Sequence, residues 1–435
     1  MSSFKTHLFS QALAVLILLL SSSFASLVAQ NSKDSVAIKI GPMVGHVGSQ
    51  EARIWVQAKS ESELGVRIDG RDISGPQLTA ESGFMGHVKI CGLKPNTTYN
   101  YEVLLNGKPT KGKFATKGTF QTALKAGQAG KMRIAFSSCF GREGQTSQVA
   151  RQYIADLPNI DLMLELGDNH YADSTVPEVQ RKFYTSQRET AGWHAYARNL
   201  PIYAIWDDHD YGPNDSDRTA DGQERSLQTF QEHWANPSYG TSETPGIFTE
   251  FSWGDVQFFL LDDRFYRDPN KAPDSPEKTL LGKAQKQWIK DQLTRSTAKV
   301  KIVALGSETQ LNGHRDSYTS FKAEQKEMLD FYKSIEGVIL ISGDRHFSGA
   351  YQIRGETIEV TSGPMGSRDY PTKNLPDMFL NYGEGKLLAV LEIDTTCASP
   401  VVHLEFHREG KGMLVRRQLT GAEINGQTRI EPLPR

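Results

Sequence analysis

The chain has 435 residues, a formal net charge of −2 at pH 7 and 38% hydrophobic residues. This length suffices for two or three globular domains with sizeable cores. The near-neutral charge argues against a nucleic-acid partner, because such a partner requires a basic face on the protein.

The amino-terminal residues have the pattern of a secretory signal peptide. Lys5 precedes an apolar stretch at 12–20, and small residues follow, with Ala25 or Ala29 as cleavage positions. The apolar stretch is too short to span a bilayer comfortably, which favours a cleaved peptide over residues 1–29 rather than an uncleaved anchor. We therefore expect an exported protein, periplasmic or secreted, with no membrane span in its mature chain.

Residues 36–117 are predicted to form a small all-β domain. Short alternating segments such as EARIWVQA and GHVKICGL are separated by turn residues, which is typical of β-strands. The phrase LKPNTTYNYEV resembles the corner between two late strands of fibronectin type III domains. This resemblance implies a fibronectin-like domain without chemistry of its own. The segment AGQAGK at 126–131 is typical of a linker.

Residues 131–435 show strand-like and helix-like segments in alternation. KMRIAFSSC, IDLMLELGD and LPIYAIWDD are predicted strands, and an amphipathic helical segment follows each of them. IFTEFSWGDVQFFLLDDR is predicted to be an antiparallel pair around a Gly-Asp turn. The alternation predicts an α/β domain in which two sheets are flanked by helices, and the tail of the chain is predicted to be stranded.

Polar clusters close several of the predicted strands at their carboxyl ends. These clusters are SSC, GDNHY, DDHD, DDRFYR and GDRH. Loops from neighbouring strands converge at this edge of an α/β sheet, where ligands bind. The carboxylates of DDHD repel one another unless a cation lies between them. The clusters together predict a cation-binding site rather than five unrelated solvated loops.

These motifs resemble those of a known family. GDNHY matches the GDxxY element of purple acid phosphatases and other metallophosphoesterases. A Cys near the first strand, DDH in place of GNH, GD-x-H in place of GH-x-H, and LDDRFYR are together similar to PhoD-like alkaline phosphatases. The resemblance implies a two-sheet α/β/β/α metallophosphoesterase sandwich after the small β domain. It also implies an exported phosphatase or phosphodiesterase that acts on phosphate mono- or diesters.

The resemblance further implies two metal ions. A thiolate and a phenolate stabilise trivalent iron, so we expect Fe³⁺ to be held by Cys139, Asp168, Tyr171 and His346. Asp168 would bridge to a second ion that is held by Asp208 and Asp344. These oxygen ligands favour a hard cation, which is Ca²⁺ by family analogy, although another divalent cation would also fit. The alternatives are a buried thiol for Cys139 and a core aromatic for Tyr171.

Three further residues are candidates for contacts with the substrate. Two cations lower the pKa of a bound water and neutralise phosphate charge, so no side-chain nucleophile is required. His209 is predicted to hydrogen-bond the phosphoryl oxygen or protonate the leaving group, and its alternative is a structural histidine that orients a neighbouring aspartate. Arg264 and Arg267 are predicted to clamp phosphate, and their alternative is a pair of surface salt bridges.

Two departures from the family pattern affect these expectations. Asp263 stands where the family usually has Thr, and we expect it to pair with Arg264. The stranded tail predicts a more open site than in family members whose terminal helix covers it. The competing functions are a phospholipase acting on phosphodiester head groups, a non-catalytic metal-containing binding protein and an adhesive protein that acts through its β domain.

Overall fold

The computed structural model describes residues 36–141 and 144–432. The signal peptide predicted over residues 1–29 lies outside these ranges. Within them, no helix combines the length and the apolar character that a membrane crossing requires.

The first part of the chain is all-β, as predicted. Its strands are β1 (Ala37–Val47), β2 (Glu51–Ala58), β3 (Ser62–Ile68), β4 (Arg71–Leu78), β5 (Met85–Cys91), β6 (Thr98–Leu105), β7 (Lys108–Pro109), β8 (Lys111–Gly112) and β9 (Lys117–Gln121). One sheet has the strand order β5-β2-β1-β8, and the other has the order β4-β3-β6-β7 with β9 also paired to β6. Alternate apolar residues, such as Val66 and Ile68, are buried.

The second part of the chain alternates strands and helices. Its strands are β10 (Lys131–Ser137), β11 (Leu162–Leu166), β12 (Ile202–Ile205), β13 (Thr249–Trp253), β14 (Val256–Leu260), β15 (Val300–Leu305), β16 (Val338–Ser342), β17 (Ser348–Ile353), β18 (Thr357–Thr361), β19 (Met378–Tyr382), β20 (Leu387–Asp394), β21 (Val401–Arg408) and β22 (Gly412–Leu419). Its helices are α1 (Gly144–Asp156), α2 (Pro177–Arg188), α3 (Ala191–Ala197), α4 (Asp208–Tyr211), α5 (Gln223–His233), α6 (Lys283–Arg295), α7 (Lys322–Lys333) and α8 (Gly421–Ile424).

These strands form two sheets with parallel centres. The six-stranded sheet has the order β12-β11-β10-β20-β21-β22, and the seven-stranded sheet has the order β13-β14-β15-β16-β18-β17-β19. Pairing is parallel from β10 through β12 and from β14 through β16 to β18. The predicted antiparallel pair around a Gly-Asp turn is the hairpin of β13 and β14. The tail is stranded only as far as β22, which pairs with β21 at the end of the first sheet, and the short helix α8 follows where a strand was predicted.

The side chains of β15 show why the two sheets form a sandwich. Ile302 and Ala304 belong to the core that both sheets share, whereas Val303 and Leu305 pack in a second cluster with residues of α6 and α7. A strand buried on both faces is expected to be rich in apolar residues, and every residue of β15 is buried, with Lys301 its one charged residue. The predicted α/β/β/α arrangement is confirmed.

The β-rich first part packs tightly against the second part. Trp55 Nε1 donates to the carbonyl of Glu232 at 2.7 Å, and the buried Arg188 guanidinium lies over the rings of Trp55 and Trp234. Gly45 meets Ala235 so closely that a Cβ at position 45 would lie 2.4 Å from the Ala235 Cβ. This contact requires glycine.

Gly45→Ala should therefore destabilise the protein by about 1–3 kcal/mol, the usual effect of overpacking a tight contact. Gly112→Ala is the matched control, because its new Cβ would have no neighbour nearer than 3.4 Å. Denaturant unfolding of both variants measures the difference. Equal stability of the two variants would contradict the close contact between the two parts of the chain.

Candidate metal centre

The predicted metal ligands lie at the carboxyl ends of the parallel strands. Cys139 follows β10, Asp168 follows β11 and Asp208 follows β12, while Asp344 and His346 follow β16 of the other sheet. The two sheets therefore contribute ligands to one site from two neighbouring edges. No side chain has to reach far from its strand.

The first ligand group contains Cys139, Asp168 and His346. One ligand atom from each of the three lies within 4.8 Å of the others. The Tyr171 hydroxyl lies 3.2 Å from His346 Nε2. The structure thus brings together all four residues that were predicted to hold iron.

The electrostatics of this group fit a bound cation. Burial, followed by the Asp168 carboxylate, raises the pKa of the Cys139 thiol and of the Tyr171 phenol well above their usual ranges. Burial is also the main cause that raises the pKa of Asp168 to about 6 and lowers the pKa of His346 to about 4. Within the described ranges, Asp168 Oδ1 and His346 Nδ1 are buried and have no hydrogen-bond partner. A cation would satisfy such groups and favour the anionic thiolate and phenolate.

The backbone is strained where these ligands leave their strands. Cys139, Asp168 and Asp344 have φ values of 58°, 51° and 60°, in the left-handed region that non-glycine residues rarely adopt. Each such residue costs of order 1–3 kcal/mol and persists where the surroundings hold it. All three residues lie at the carboxyl ends of strands that border the candidate metal centre.

Asp208 belongs to both of the other ligand groups. One contains Asp168, Asp208 and His209, and the other contains Asp208, Asp215 and Asp316. Asp208 Oδ1 is buried without a hydrogen-bond partner among the described residues. Because Asp168 is shared between the first two groups, it lies where a bridging ligand is expected.

The structure supports Asp344 as a metal ligand less directly than predicted. Its carboxylate lines the same cleft, and burial together with Asp316 and Asp208 raises its pKa well above the usual range. Within the described part of the chain, however, Asp344 joins none of the three ligand groups. The further carboxylates that group with Asp208, besides Asp168, are instead those of Asp215 and Asp316.

Asp316 could not be found from the strand-end pattern. It lies in the long loop after β15, eleven positions beyond the last residue of that strand. Asp215 was visible as part of the unusual acidic stretch around DDHD, but nothing distinguished it from a capping residue. Its backbone N–H donates to Asp208 Oδ2 at 2.7 Å, which ties the two acidic residues together.

Arg264 and Arg267 do not contact the cleft, which contradicts their predicted role as a phosphate clamp. Both guanidinium groups are fully buried. Each donates to Asp316 at 2.7 Å, and Arg264 Nε also donates to Asp207 at 2.5 Å. The predicted surface salt bridges are equally wrong, since these ion pairs are interior. The two arginines orient Asp316 and lower its pKa, although burial alone would raise it.

The other acidic residues of these motifs have structural roles. Asp210 Oδ1 accepts from the backbone N–H of Asp207 at 2.7 Å, which closes the first turn of α4. Asp263 accepts from the backbone N–H of Ser307 at 2.6 Å instead of forming the expected pair with Arg264. Only part of the acidic cluster therefore faces the candidate metal centre.

His209 faces the cleft and is oriented by a carboxylate. Its Nδ1 is hydrogen-bonded to Asp173, and its ring centroid lies 4.2 Å from that of Tyr171. Burial lowers the pKa of His209, but Asp168, Asp208 and Asp173 outweigh burial and raise the pKa to about 9. Cations bound at these carboxylates would reduce that effect, because they neutralise the same charges.

Several of the candidate ligands line a cleft of about 820 Å³. Asp208, Asp215, Asp316 and Asp344 line it, together with Tyr171, His209 and His346. A concave site that gathers several titratable groups with shifted pKa values is the usual form of an active site.

Residues 134–381 match the family model of PhoD-like phosphatases. The chain belongs to the PhoD-like phosphatase family. Residues 35–119 match a domain of unknown function, DUF7800, so the resemblance of this region to fibronectin type III domains stays a prediction.

Two curated relatives are phosphatases. Alkaline phosphatase D of Bacillus subtilis (strain 168) is 25% identical over 367 residues, which cover 72% of this chain and 61% of the relative. Purple acid phosphatase 23 of Arabidopsis thaliana is 23% identical over 337 residues, which cover 73% of this chain and 66% of the relative. This PhoD-like chain therefore spans less than two thirds of the length of either relative.

Two solved structures share the fold. A structure of PhoD matches with a TM-score of 0.72 and 18% identity, covering 89% of this chain and 92% of that chain. A purple acid phosphatase from yellow lupin seeds matches with a TM-score of 0.65 and 14% identity, covering 88% and 74%. Both support the two-sheet metallophosphoesterase architecture.

Asp316→Asn should weaken cation binding at least about tenfold, because it removes one anionic ligand while keeping the shape of the side chain. Metal analysis after dialysis measures the loss. Asp215→Asn tests the same group from a less buried position, and Asp72→Asn on the exposed face of β4 is the control. Full metal content in both Asp316→Asn and Asp215→Asn would exclude these residues as ligands.

Proposed function

We propose that this protein is an exported, metal-dependent hydrolase of phosphoric esters, either a phosphatase or a phosphodiesterase. The observation that carries the proposal is the set of three overlapping ligand groups at one cleft, with Asp168 and Asp208 each shared between two groups. Membership of the PhoD-like phosphatase family and relatives named as phosphatases support it. Export rests on the signal-peptide pattern of the sequence.

The donor atoms suggest which cations are held. Cys139, Asp168, Tyr171 and His346 combine sulfur, phenol, carboxylate and imidazole donors, a set that suits Fe³⁺. Asp208 and its acidic neighbours offer only oxygen, which suits Ca²⁺. We assign Asp215 and Asp316 to this second set alongside Asp208, and we retain Asp344 as a ligand because it lines the same cleft.

Bound cations supply Lewis-acid activation of water and neutralise charge on the phosphate. The side chains of the protein position the groups around the substrate and transfer the proton. Arg264 and Arg267 orient Asp316, and Asp173 fixes Nδ1 of His209. The other nitrogen of His209, Nε2, is then available to donate to the phosphoryl or leaving-group oxygen. No side-chain nucleophile is required.

Hydrolysis of p-nitrophenyl phosphate and of bis(p-nitrophenyl) phosphate tests this function. We expect turnover of at least one ester, loss of turnover on chelation and recovery after metal is restored. Asp208→Asn should lower kcat by about 100-fold or more, because Asp208 is shared by two ligand groups. Asp72→Asn should match the wild type. A folded, metal-loaded protein inactive on both esters would favour the non-catalytic binding protein.

Visible absorption tests the iron assignment separately from activity. Thiolate and phenolate ligands transfer charge to Fe³⁺, so the concentrated protein should be coloured, whereas Ca²⁺, Mg²⁺ or Zn²⁺ gives no such band. Tyr171→Phe should shift or bleach the band, and Cys139→Ser should change it independently. A colourless, iron-free and fully active protein would reject iron and leave a two-metal site with other cations.

A further inference from the structure

Three arginines line the same cleft as the candidate metal ligands. Arg315 lies in the loop after β15, Arg345 follows β16 and Arg368 lies in the loop after β18. These three strands are parallel neighbours in the seven-stranded sheet. Three successive strand ends therefore each present one guanidinium group to one opening. The metal ligands do not require this arrangement.

The buried carboxylate of Glu308 orients Arg345. Nη1 of Arg345 donates to Oε2 of Glu308 at 3.0 Å, and Glu308 is fully buried. The guanidinium carbon lies 5.3 Å from the ring centroid of Phe347. In the part of the chain that the structure describes, Glu308 is the one side chain shown to form an ion pair with Arg345. Nε and Nη2 are thus left for an acceptor in the cleft.

Arg368 and Arg315 are more exposed. Arg368 lies with its guanidinium carbon 5.6 Å from the ring centroid of Tyr370, and no carboxylate among the described residues forms an ion pair with it. The Arg315 side chain is 68% exposed and pairs with Asp215 at 2.7 Å. A cation held by Asp215 would weaken that pair, because it would compete for the same carboxylate charge.

The size of the cleft indicates a ligand larger than one phosphate. Its volume of about 820 Å³ lies in the upper part of the range of about 300–1,000 Å³ that is typical of small-molecule sites. Arginine forks bind phosphate oxygens with two parallel hydrogen bonds. A phosphate monoester carries about −1.5 to −2 charges near pH 7. Several guanidinium groups in one cleft therefore suit a second phosphate group better than they suit a single carboxylate.

We propose that the cleft takes phosphate esters whose alcohol part carries a second phosphate group, which Arg345 and Arg368 bind and Arg315 assists. The inference rests on the proposed phosphoesterase function and assigns specificity-determining residues to it. The reaction remains hydrolysis. The oxygen of water bonds to phosphorus, the ester P–O bond breaks and the alcohol oxygen takes up a proton released by the water. The second phosphate is recognised and not changed.

A series with one carbon skeleton tests the proposal. The substrates are glycerol 3-phosphate, 3-phosphoglycerate and 2,3-bisphosphoglycerate, and released phosphate is measured with the metal-loaded full-length protein. The wild-type kcat/KM should be at least about tenfold higher for the bisphosphate than for glycerol 3-phosphate, since charge-assisted hydrogen bonds discriminate to that extent. The carboxylate of 3-phosphoglycerate should give a smaller gain.

Two variants assign the preference to the arginines. Arg368→Gln changes an exposed side chain, and the double variant Glu308→Gln/Arg345→Gln removes the Arg345 charge without leaving a buried carboxylate unpaired. In both, the ratio of kcat/KM values for the bisphosphate and glycerol 3-phosphate should fall towards one, mainly through a higher KM for the bisphosphate. Arg71→Gln on the exposed strand β4 is the control and should keep the wild-type ratio.

The outcomes separate this proposal from the one it rests on. A metal-loaded protein that hydrolyses no phosphate ester, p-nitrophenyl phosphate included, contradicts the phosphoesterase function. A protein that hydrolyses all three substrates equally well overturns the second-phosphate site alone. The second-phosphate site is also overturned if kcat/KM rises as much for 3-phosphoglycerate as for the bisphosphate, relative to glycerol 3-phosphate. It is likewise overturned if both variants keep the wild-type ratio.

Discussion

Negative charge gathered at the edges of two sheets is the constraint on which the site depends. Asp168, Asp208 and Asp316 converge with a thiol and a phenol in a region largely removed from water. Burying unpaired carboxylates costs several kcal/mol each, so positive charge has to be supplied. The chain supplies some of it with Arg264 and Arg267, which pair with Asp316 from the interior. Asp168 Oδ1 and Asp208 Oδ1 are buried and have no hydrogen-bond partner among the described residues. These two oxygens indicate where bound cations would supply the remaining positive charge.

The same constraint explains how the fold is used around the site. The central strands are buried, and left-handed backbone at Cys139, Asp168 and Asp344 persists where such surroundings hold it. The buried arginines then act through the aspartates they orient. Arg315 and Arg368, the more exposed arginines of the cleft, lie on loops, where residues are freer to vary than those of the core.

The sequence predicted the features that follow from local pattern. Strands ending in polar clusters predicted that Cys139, Asp168, Asp208 and His346 lie near one another, as they do in the structure, because parallel strands share their carboxyl edge. The pattern carried no information on how deeply each side chain is buried. Arg264 and Arg267 looked like substrate ligands because guanidinium groups bind phosphate and carboxylate equally well, and only the packing shows which acceptor is near. Asp316 was missed because the path of a long loop depends on tertiary contacts that no periodicity records.

The raised pKa values also describe how cation and proton binding are coupled. In the protein without cations, burial keeps the Cys139 thiol and the Tyr171 phenol protonated and brings the pKa of Asp168 to about 6. The site can therefore limit its buried negative charge by holding protons in place of metal ions. A cation that binds Cys139 and Tyr171 must displace the protons of the thiol and the phenol, because only their anions are strong ligands. Affinity for the cation at this position then rises with pH.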